Sequence, residues 1–378
     1  MSPASSSSSG PRVLFVDVSG RRGGAETSLD ELIAALMARQ SAVLALATAR
    51  ADAAVPCPTY SLPAARLHRP SRPLPFLRSL AALLRARRTL GRIVRDFKPD
   101  IIHANGIAAV LALPPARARV LWHVRDWPRR PYAALAARRC AALVAISRPV
   151  EEALRRTLPA SLHSRIHLVE NGIDLRGFEK GGEHPAGRTV GMLAHLVPWK
   201  RHDLFIAAAA RLRDFRDADG NPVTWLIAGS DLFGEHADYV ASLRQAVAAA
   251  GLAERFVWLE GRDARSILPT LDLLVHPTPA EPFGRVICEA MAAGVPVVAC
   301  DAAGPGSILA DNETGFLFPP SDSSETMAEA LAERIRFALA HPRTRAAVAE
   351  AATAEVHRRY GIDRVAGEIR ALYGNMVE

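Results

Sequence analysis

Apolar residues along the chain alternate between short continuous blocks and longer stretches in which they recur every three or four positions. The blocks predict buried strands, and the periodic stretches predict helices. VLFVDV (13–18) is the first such strand, followed by the glycine loop SGRRGGAE and an amphipathic helix through residue 39. AVLALAT (42–48), DIIHANG (100–106), RVLWHVRD (119–126), ALVAIS (142–147) and IHLVENGID (166–174) continue the strands. Helices are expected over 76–97 and 149–158, and the Pro- and Arg-rich 56–75 reads as irregular. The Gly/Pro/Glu-rich FEKGGEHPAGR (178–188) interrupts the pattern as a linker would. Strand–helix alternation then restarts with TVGMLA (189–194), a helix at 202–215, TWLIAGS (224–230) and a helix at 238–252. FVWLEG (256–261), LDLLVHP (271–277), PVVAC (296–300) and GFLFPP (315–320) follow, and the last 50 residues are mainly helical.

The expected fold is therefore α/β, with two Rossmann-like βαβ domains facing each other across a cleft. Their expected limits are 12–177 and 189–358, after a disordered Ser-rich tail at 1–11. A helix at 359–378 is expected to pack back on the first domain. The length of 378 residues agrees with two cores. No apolar run is long enough to span a bilayer, and the N-terminus lacks the apolar segment of a signal peptide, so a cytoplasmic location is expected. Cys57, Cys140, Cys288 and Cys300 are scattered, as in a reducing compartment, and do not have zinc-ligand spacing.

Charge is divided unevenly. Residues 1–183 hold 28 Lys and Arg against 14 Asp and Glu, a net +14, whereas the remainder nets −6. The first half is therefore expected to meet something anionic. On a helix over 76–97, Phe76, Leu80, Leu83, Leu84, Leu90, Ile93, Val94 and Phe97 would form an apolar stripe. Arg78, Arg85, Arg88, Arg92 and Arg95 would lie on another face, suited either to solvent or to an anionic membrane surface. No basic–aromatic nucleic-acid module is present. Only three lysines occur, Lys98, Lys180 and Lys200.

The densest candidate chemistry is EPFGRVICEAMAAGVPVV (281–298). Pro282 and Gly294 bracket a helix, with Glu281 just before it and Glu289 inside it. Eight helical residues span about 12 Å, too far for a retaining-glycosidase carboxylate pair but suited to two ends of one extended ligand. Backbone N–H groups near 283–286 would meet anionic oxygens between them.

This stretch resembles the Glu-x7-Glu motif of the GT-B glycosyltransferases, specifically the retaining enzymes of glycosyltransferase family 4. GGAE (23–26), NGID (171–174), LVPWK (196–200), LIAGS, WLEGR and DNETGFLFPP are similar to further family segments, in the family's order. The resemblance implies transfer of a sugar from a nucleotide diphosphate sugar to a glycan or lipid-linked acceptor, in cell-envelope glycolipid or polysaccharide synthesis. It implies a donor site in the second domain formed with Gly23, Gly24, His195, Lys200, Gly229, Arg262, Glu281, Phe283, Gly284 and Glu289. His123, Glu281 and Lys200 would act at the reacting centre, with no metal and no cofactor. His103, Asn105 and Arg125 would contact acceptor in the first domain.

The chain departs from the family at His195, where an arginine is usual, and at Ser307, where glutamate is common. Either a protonated His195 or a neighbour such as Arg201 would have to supply the missing charge. Asp217–Asp219 matches the Asp-x-Asp of metal-dependent transferases but precedes a strand, so it reads as a turn. The glycine loop lacks G-x-G-x-x-G, which counts against a dinucleotide-dependent dehydrogenase. A nucleotide-sugar epimerase of similar architecture is the rival expectation.

Overall fold

Two wholly parallel sheets organise the computed structural model, which describes residues 10–40, 42–66, 73–178, 188–217, 220–232, 234–261 and 263–378. The first contains β1 (Arg12–Asp17), β2 (Val43–Thr48), β3 (Thr59–Ser61), β4 (Ile101–Asn105), β5 (Arg119–Val124), β6 (Ala142–Ala145) and β7 (Ile166–Leu168). Its order is β3-β2-β1-β4-β5-β6-β7. The second contains β8 (Arg188–Leu193), β9 (Val223–Ala228), β10 (Phe256–Leu259), β11 (Leu273–His276), β12 (Val297–Cys300) and β13 (Phe316–Phe318). Its order, β10-β9-β8-β11-β12-β13, repeats the same winding. Helices cover both faces of such sheets, which is why strands such as β4 and β12 are buried at every position.

In each sheet the chain reverses its direction of travel between two neighbouring strands, β1 and β4 in the first and β8 and β11 in the second. The connections leaving the carboxyl ends of those strands diverge to opposite faces and leave a crevice. The β1–β4 register pairs Val16 with Ala104, and the β4–β5 register pairs Asn105 with His123. The β11–β8 register pairs Leu274 with Gly191.

Internal contacts divide the chain into two units, residues 1–172 with Ile362–Glu378, and Ile173–Gly361. The division falls at Gly172, ahead of the stretch 178–188, of which 179–187 lie outside the described residues. Residues 1–9 of the Ser-rich tail also lie outside them. Helix Ile362–Val377 packs on helix Gly24–Ala38 and on β4. Its Val365, Ile369, Tyr373 and Met376 join Val13, Phe15, Leu29 and Leu36 in the core of the first unit. The second core is built round Phe205, Trp225 and Phe256, with Trp225 stacked on Phe256 at 6.3 Å.

Several expectations need correction. β3 lies inside the stretch read as irregular; three residues, Thr-Tyr-Ser, carry no apolar periodicity, and pairing with β2 makes the strand. The long helix runs Pro73–Phe97, and its core side is Ser79, Ala86, Leu90, Ile93 and Phe97. Leu80 and Leu84, expected in the buried stripe, are 48% and 47% exposed, and Leu77 is 59% exposed. The small residues Ser79 and Ala86 take inward positions, which leaves these leucines on the arginine side. The helix of the EPFG segment begins at Arg285 and not in the Pro282 turn, because Gly284 at φ 102° turns the chain immediately before it. Among the described residues no helix is long and apolar enough to cross a membrane.

Candidate active site

In the second unit the candidates gather at the carboxyl ends of β8, β9 and β11. After β8 the chain passes His195 and forms a short 3-10 turn, Pro198–Lys200. Thr278, just past β11, donates its hydroxyl to the Trp199 carbonyl at 2.7 Å and ties the two strand-end loops together. This brings the Lys200 ammonium onto the Glu281 carboxylate, in a direct hydrogen-bonded ion pair. His276, the last residue of β11, places Nε2 3.4 Å from the same Glu281 oxygen. Burial raises the pKa of the Glu281 carboxyl, but Lys200 and His276 outweigh it and hold the group down to about 2. Burial pushes His276 down, so it is neutral beside the carboxylate. The Lys200 ammonium also lies 4.2 Å from the centre of the half-exposed Trp199 ring.

Glu289 lies about one turn into helix Arg285–Ala292 and is 9% exposed. Its carboxylate accepts from Arg285 Nε at 2.6 Å. Arginine four residues ahead of the motif's second glutamate therefore holds that carboxylate, a pairing visible in the i, i+4 spacing but not anticipated. Gly284 forms the left-handed turn before the helix. Phe283 is buried with its ring against Tyr360 at 5.8 Å, so its side chain is a packing anchor and its backbone faces Gly304. Gly304 N–H donates to the Glu281 carbonyl at 2.9 Å, and a Cβ at Gly304 would stand 2.1 Å from the Phe283 oxygen. Gly229 has a similar reason to be glycine, since its Cβ would meet the Ala194 carbonyl oxygen at 1.9 Å. Its role is to let β9 and the loop after β8 close together beside His195.

Burial and the nearby Lys200 lower the His195 pKa, so it is neutral here. Arg201 uses its guanidinium on Asp203, at 3.0–3.2 Å, and on Ser324 Oγ at 2.8 Å. Ser307 bonds the Gly304 carbonyl at 2.7 Å. Asp217 caps a turn, accepting from Asn221 N–H at 2.8 Å, while residues 218 and 219 lie outside the described residues. Arg262 also lies outside them.

In the first unit the candidates gather at the carboxyl ends of β1, β4 and β5. Gly23 is extended and caps helix Gly24–Ala38; its N–H is taken by Glu26 at 2.9 Å in a capping box. The loop position that requires glycine for its backbone is Gly20, at φ 75° and with Ala64 Cβ 2.8 Å from where its own Cβ would be. Beneath the loop lies a buried ion network missed in the sequence. Arg50 Nε meets Asp17 at 2.9 Å, and its two terminal nitrogens meet Asp30 at 2.9 and 2.6 Å. Asp17 ending an apolar strand was its one visible signal.

His103 and His123 are both fully buried, with His103 Nε2 2.9 Å from His123 Nδ1. Tyr373 OH lies 2.6 Å from His103 Nδ1, so both ring nitrogens of His103 are used within the unit. Burial and then Arg125 lower both histidines well below the usual range. Arg125 Nε donates to Asn105 Oδ1 at 2.8 Å, and a second nitrogen donates to Asn171 Oδ1 at 2.5 Å. His123 Nε2 and Asn105 Nδ2 are buried without a hydrogen-bond partner among the described residues. Asn171 and Tyr373 join the cluster of the first unit and His276 that of the second, and none was named as a site residue in the sequence.

Comparison with known proteins covers most of the chain. The family described as glycosyltransferase family 4 matches residues 22–176, and that described as glycosyl transferases group 1 matches 177–355. A lipopolysaccharide core biosynthesis mannosyltransferase of Rhizobium leguminosarum bv. viciae is 30% identical over 220 residues, 56% of this chain and 60% of its own length. A GDP-mannose-dependent alpha-mannosyltransferase of Mycobacterium tuberculosis is 27% identical, with 74% of this chain and 77% of that protein aligned. Among solved structures, Anabaena HepE in complex with UDP and glucose superposes with a TM-score of 0.76 at 25% identity, covering 96% of this chain and 99% of that one. The sucrose-phosphate synthase of Thermosynechococcus elongatus superposes at 0.81 with 19% identity, covering 97% and 99%.

Proposed function

The chain belongs to the GT-B glycosyltransferases of the family 4 type, and from that premise we propose that it moves a hexose from a nucleotide diphosphate sugar to an acceptor hydroxyl with retention of anomeric configuration. The observation that carries this reading is the Lys200–Glu281–His276 cluster at the point where the second sheet reverses, with Glu289 further along the adjoining helix. Lys200 meets the diphosphate as a compact charge. Backbone N–H groups entering helix Arg285–Ala292 donate to the diphosphate oxygens beside it. Glu281 orients the transferring sugar and Glu289 holds the ribose diol. His195, neutral in the free protein, contributes a hydrogen bond where relatives of this family type use a cation.

Attack from the face of the leaving group passes the acceptor's proton to the departing diphosphate. The protein then supplies position and charge stabilisation and no base. Charge on the leaving group is met by Lys200 and the helix end, so the reading requires neither metal nor cofactor. His123, Asn105 and Arg125 at the end of the first sheet are the proposed contacts for donor sugar and acceptor. Mannosyl- and glucosyl-nucleotides are the first candidates, because the mycobacterial relative is named for GDP-mannose and HepE was solved with UDP and glucose. A place in cell-envelope glycan synthesis is supported by the name of the lipopolysaccharide core relative.

The test is a thermal-shift panel of GDP-mannose, UDP-glucose and their relatives. A true donor at one hundred times its dissociation constant should stabilise the protein by about 2.7 kcal/mol. Silence across the panel would refute the reading. Turnover of the donor without any acceptor to an isomeric nucleotide sugar would support an epimerase instead.

A further inference from the structure

Tyr373, His103 and His123 form a hydrogen-bonded relay from helix Ile362–Val377 to the carboxyl end of β5. The relay can run with either of two polarities, since a neutral imidazole carries one proton. If Tyr373 donates to His103 Nδ1, then His103 Nε2–H donates to His123 Nδ1, and His123 carries its proton on Nε2. If the order is reversed, His123 Nε2 is a bare lone pair and the Tyr373 hydroxyl proton must find another acceptor.

The surroundings decide between them. Tyr373 is 1% exposed, lies in the apolar core of the first unit, and has His103 as its hydrogen-bond partner. The reversed relay would strand a hydroxyl proton in that core and an imidazole lone pair at the strand end. The forward relay leaves a single unsatisfied donor, His123 Nε2–H. That donor lies on the strand end beside Asn105, whose Nδ2 donors also lack a partner among the described residues. A ligand's acceptor oxygens can satisfy both; nothing can satisfy the phenol.

We propose that Tyr373 is a positioning residue which, through His103, fixes His123 as an Nε2–H donor, so that His123 recognises an acceptor oxygen of the substrate and does not serve as a base. This rests on the reading of that strand end as a substrate site, and it extends the site to a residue on the last helix of the chain.

The experiment is long-range proton–nitrogen NMR of the full-length protein labelled with 15N-histidine and free of any nucleotide. The His123 signal is identified by its loss in His123→Asn. His123 is expected in a single Nε2–H form; a single Nδ1–H form would overturn the proposal. Tyr373→Phe should shift His123 Nε2 from the protonated range toward the unprotonated one as the tautomers mix. A His123 that remains wholly Nε2–H in a folded Tyr373→Phe protein would overturn the role of Tyr373. His103→Leu interrupts the relay from the strand side and should give the same mixing should the tyrosine variant fail to fold; an unchanged His123 signal there would likewise overturn it. The tautomer is read without substrate, so failure of the donor assignment leaves this result standing, and the reverse.

Discussion

At the residue scale, the Lys200–Glu281 pair combines two roles that mutation can separate. Both side chains are mostly buried, at 14% and 12% exposure. Lys200→Ala should lower turnover by roughly ten- to a thousandfold through loss of diphosphate stabilisation. It should also destabilise the second unit by on the order of 3 kcal/mol, because a buried carboxylate loses its partner. The sign with pH follows from Glu281, whose folded pKa is depressed to about 2. Its contribution is fully present above the ordinary carboxylate range and is lost as pH falls through the folded value. The stability gap between wild type and Lys200→Ala should therefore close as melts are taken from pH 7 toward pH 2. Lys200→Ala with Glu281→Gln should recover most of the melting temperature but none of the activity; recovery of both would make the pair merely structural. Glu289→Gln should raise the donor KM more than it lowers kcat, and Glu281→Gln the reverse, if ribose contact is equal in ground and transition states. The sequence exposed these residues because motif spacing and the scarcity of lysine are local signals. It concealed His276 and Tyr373, whose significance comes from neighbours 5 and 270 positions away.

At the scale of elements, alternation of apolar blocks and amphipathic runs was enough to read most strands of both sheets, since strands buried on both faces are continuous apolar runs. Short pieces escaped it. Helices Ile107–Ala112 and Ala303–Ile308 and strand β3 are too brief to display a period, and tertiary pairing makes them. Helix Pro73–Phe97 was legible as a helix but not in its orientation, because Ser79 and Ala86 face inward and Leu77, Leu80 and Leu84 outward. From that outcome we propose that this face rests on anionic lipid, for exposed leucines share it with Arg88 and Arg95. Binding to anionic vesicles should rise with acidic lipid content and fall with salt, each arginine near the surface contributing about 1 kcal/mol. Exchanging Arg85, Arg88 and Arg92 for glutamate should abolish vesicle binding. Leu77, Leu80 and Leu84 to serine should weaken it at every salt concentration. Both variants should melt with the wild type, since none of these residues is in the core. Wild-type protein that ignores anionic vesicles in low salt would end this proposal and leave the +14 of residues 1–183 to an anionic acceptor.

At the scale of the whole molecule, the chain enters the second unit at Ile173, leaves it at Gly361, and returns its last helix to the first unit. The two crossings run side by side, with Ile173 N–H bonded to the Tyr360 carbonyl at 2.8 Å and Gly172 packed where a Cβ would touch Ile362 at 2.8 Å. The first unit is therefore discontinuous in sequence and the second continuous, which predicts unequal effects of truncation. A chain ending at Gly361 loses the burial of Val365, Ile369, Leu372, Tyr373 and Met376. At about 1.5–3 kcal/mol for each large apolar side chain, that loss is on the order of 10 kcal/mol, comparable with the whole stability of a domain. It also uncovers Leu29, Ile33 and Leu36, core residues grouped with this helix. The truncated protein should show rapid hydrogen exchange and protease cleavage across β1, β4 and β5, while β8, β9, β11 and helix Arg285–Ala292 keep their protection. Because Lys200, Glu281 and Glu289 all lie in the continuous unit, it should still be stabilised by the nucleotide that stabilises the full chain. Adding residues 362–378 as a peptide should restore part of the protection in β4 by mass action. A truncated chain whose first unit exchanges as slowly as the full-length protein would show that the last helix is an accessory, and the tyrosine it carries could not then hold His103 and His123 in register.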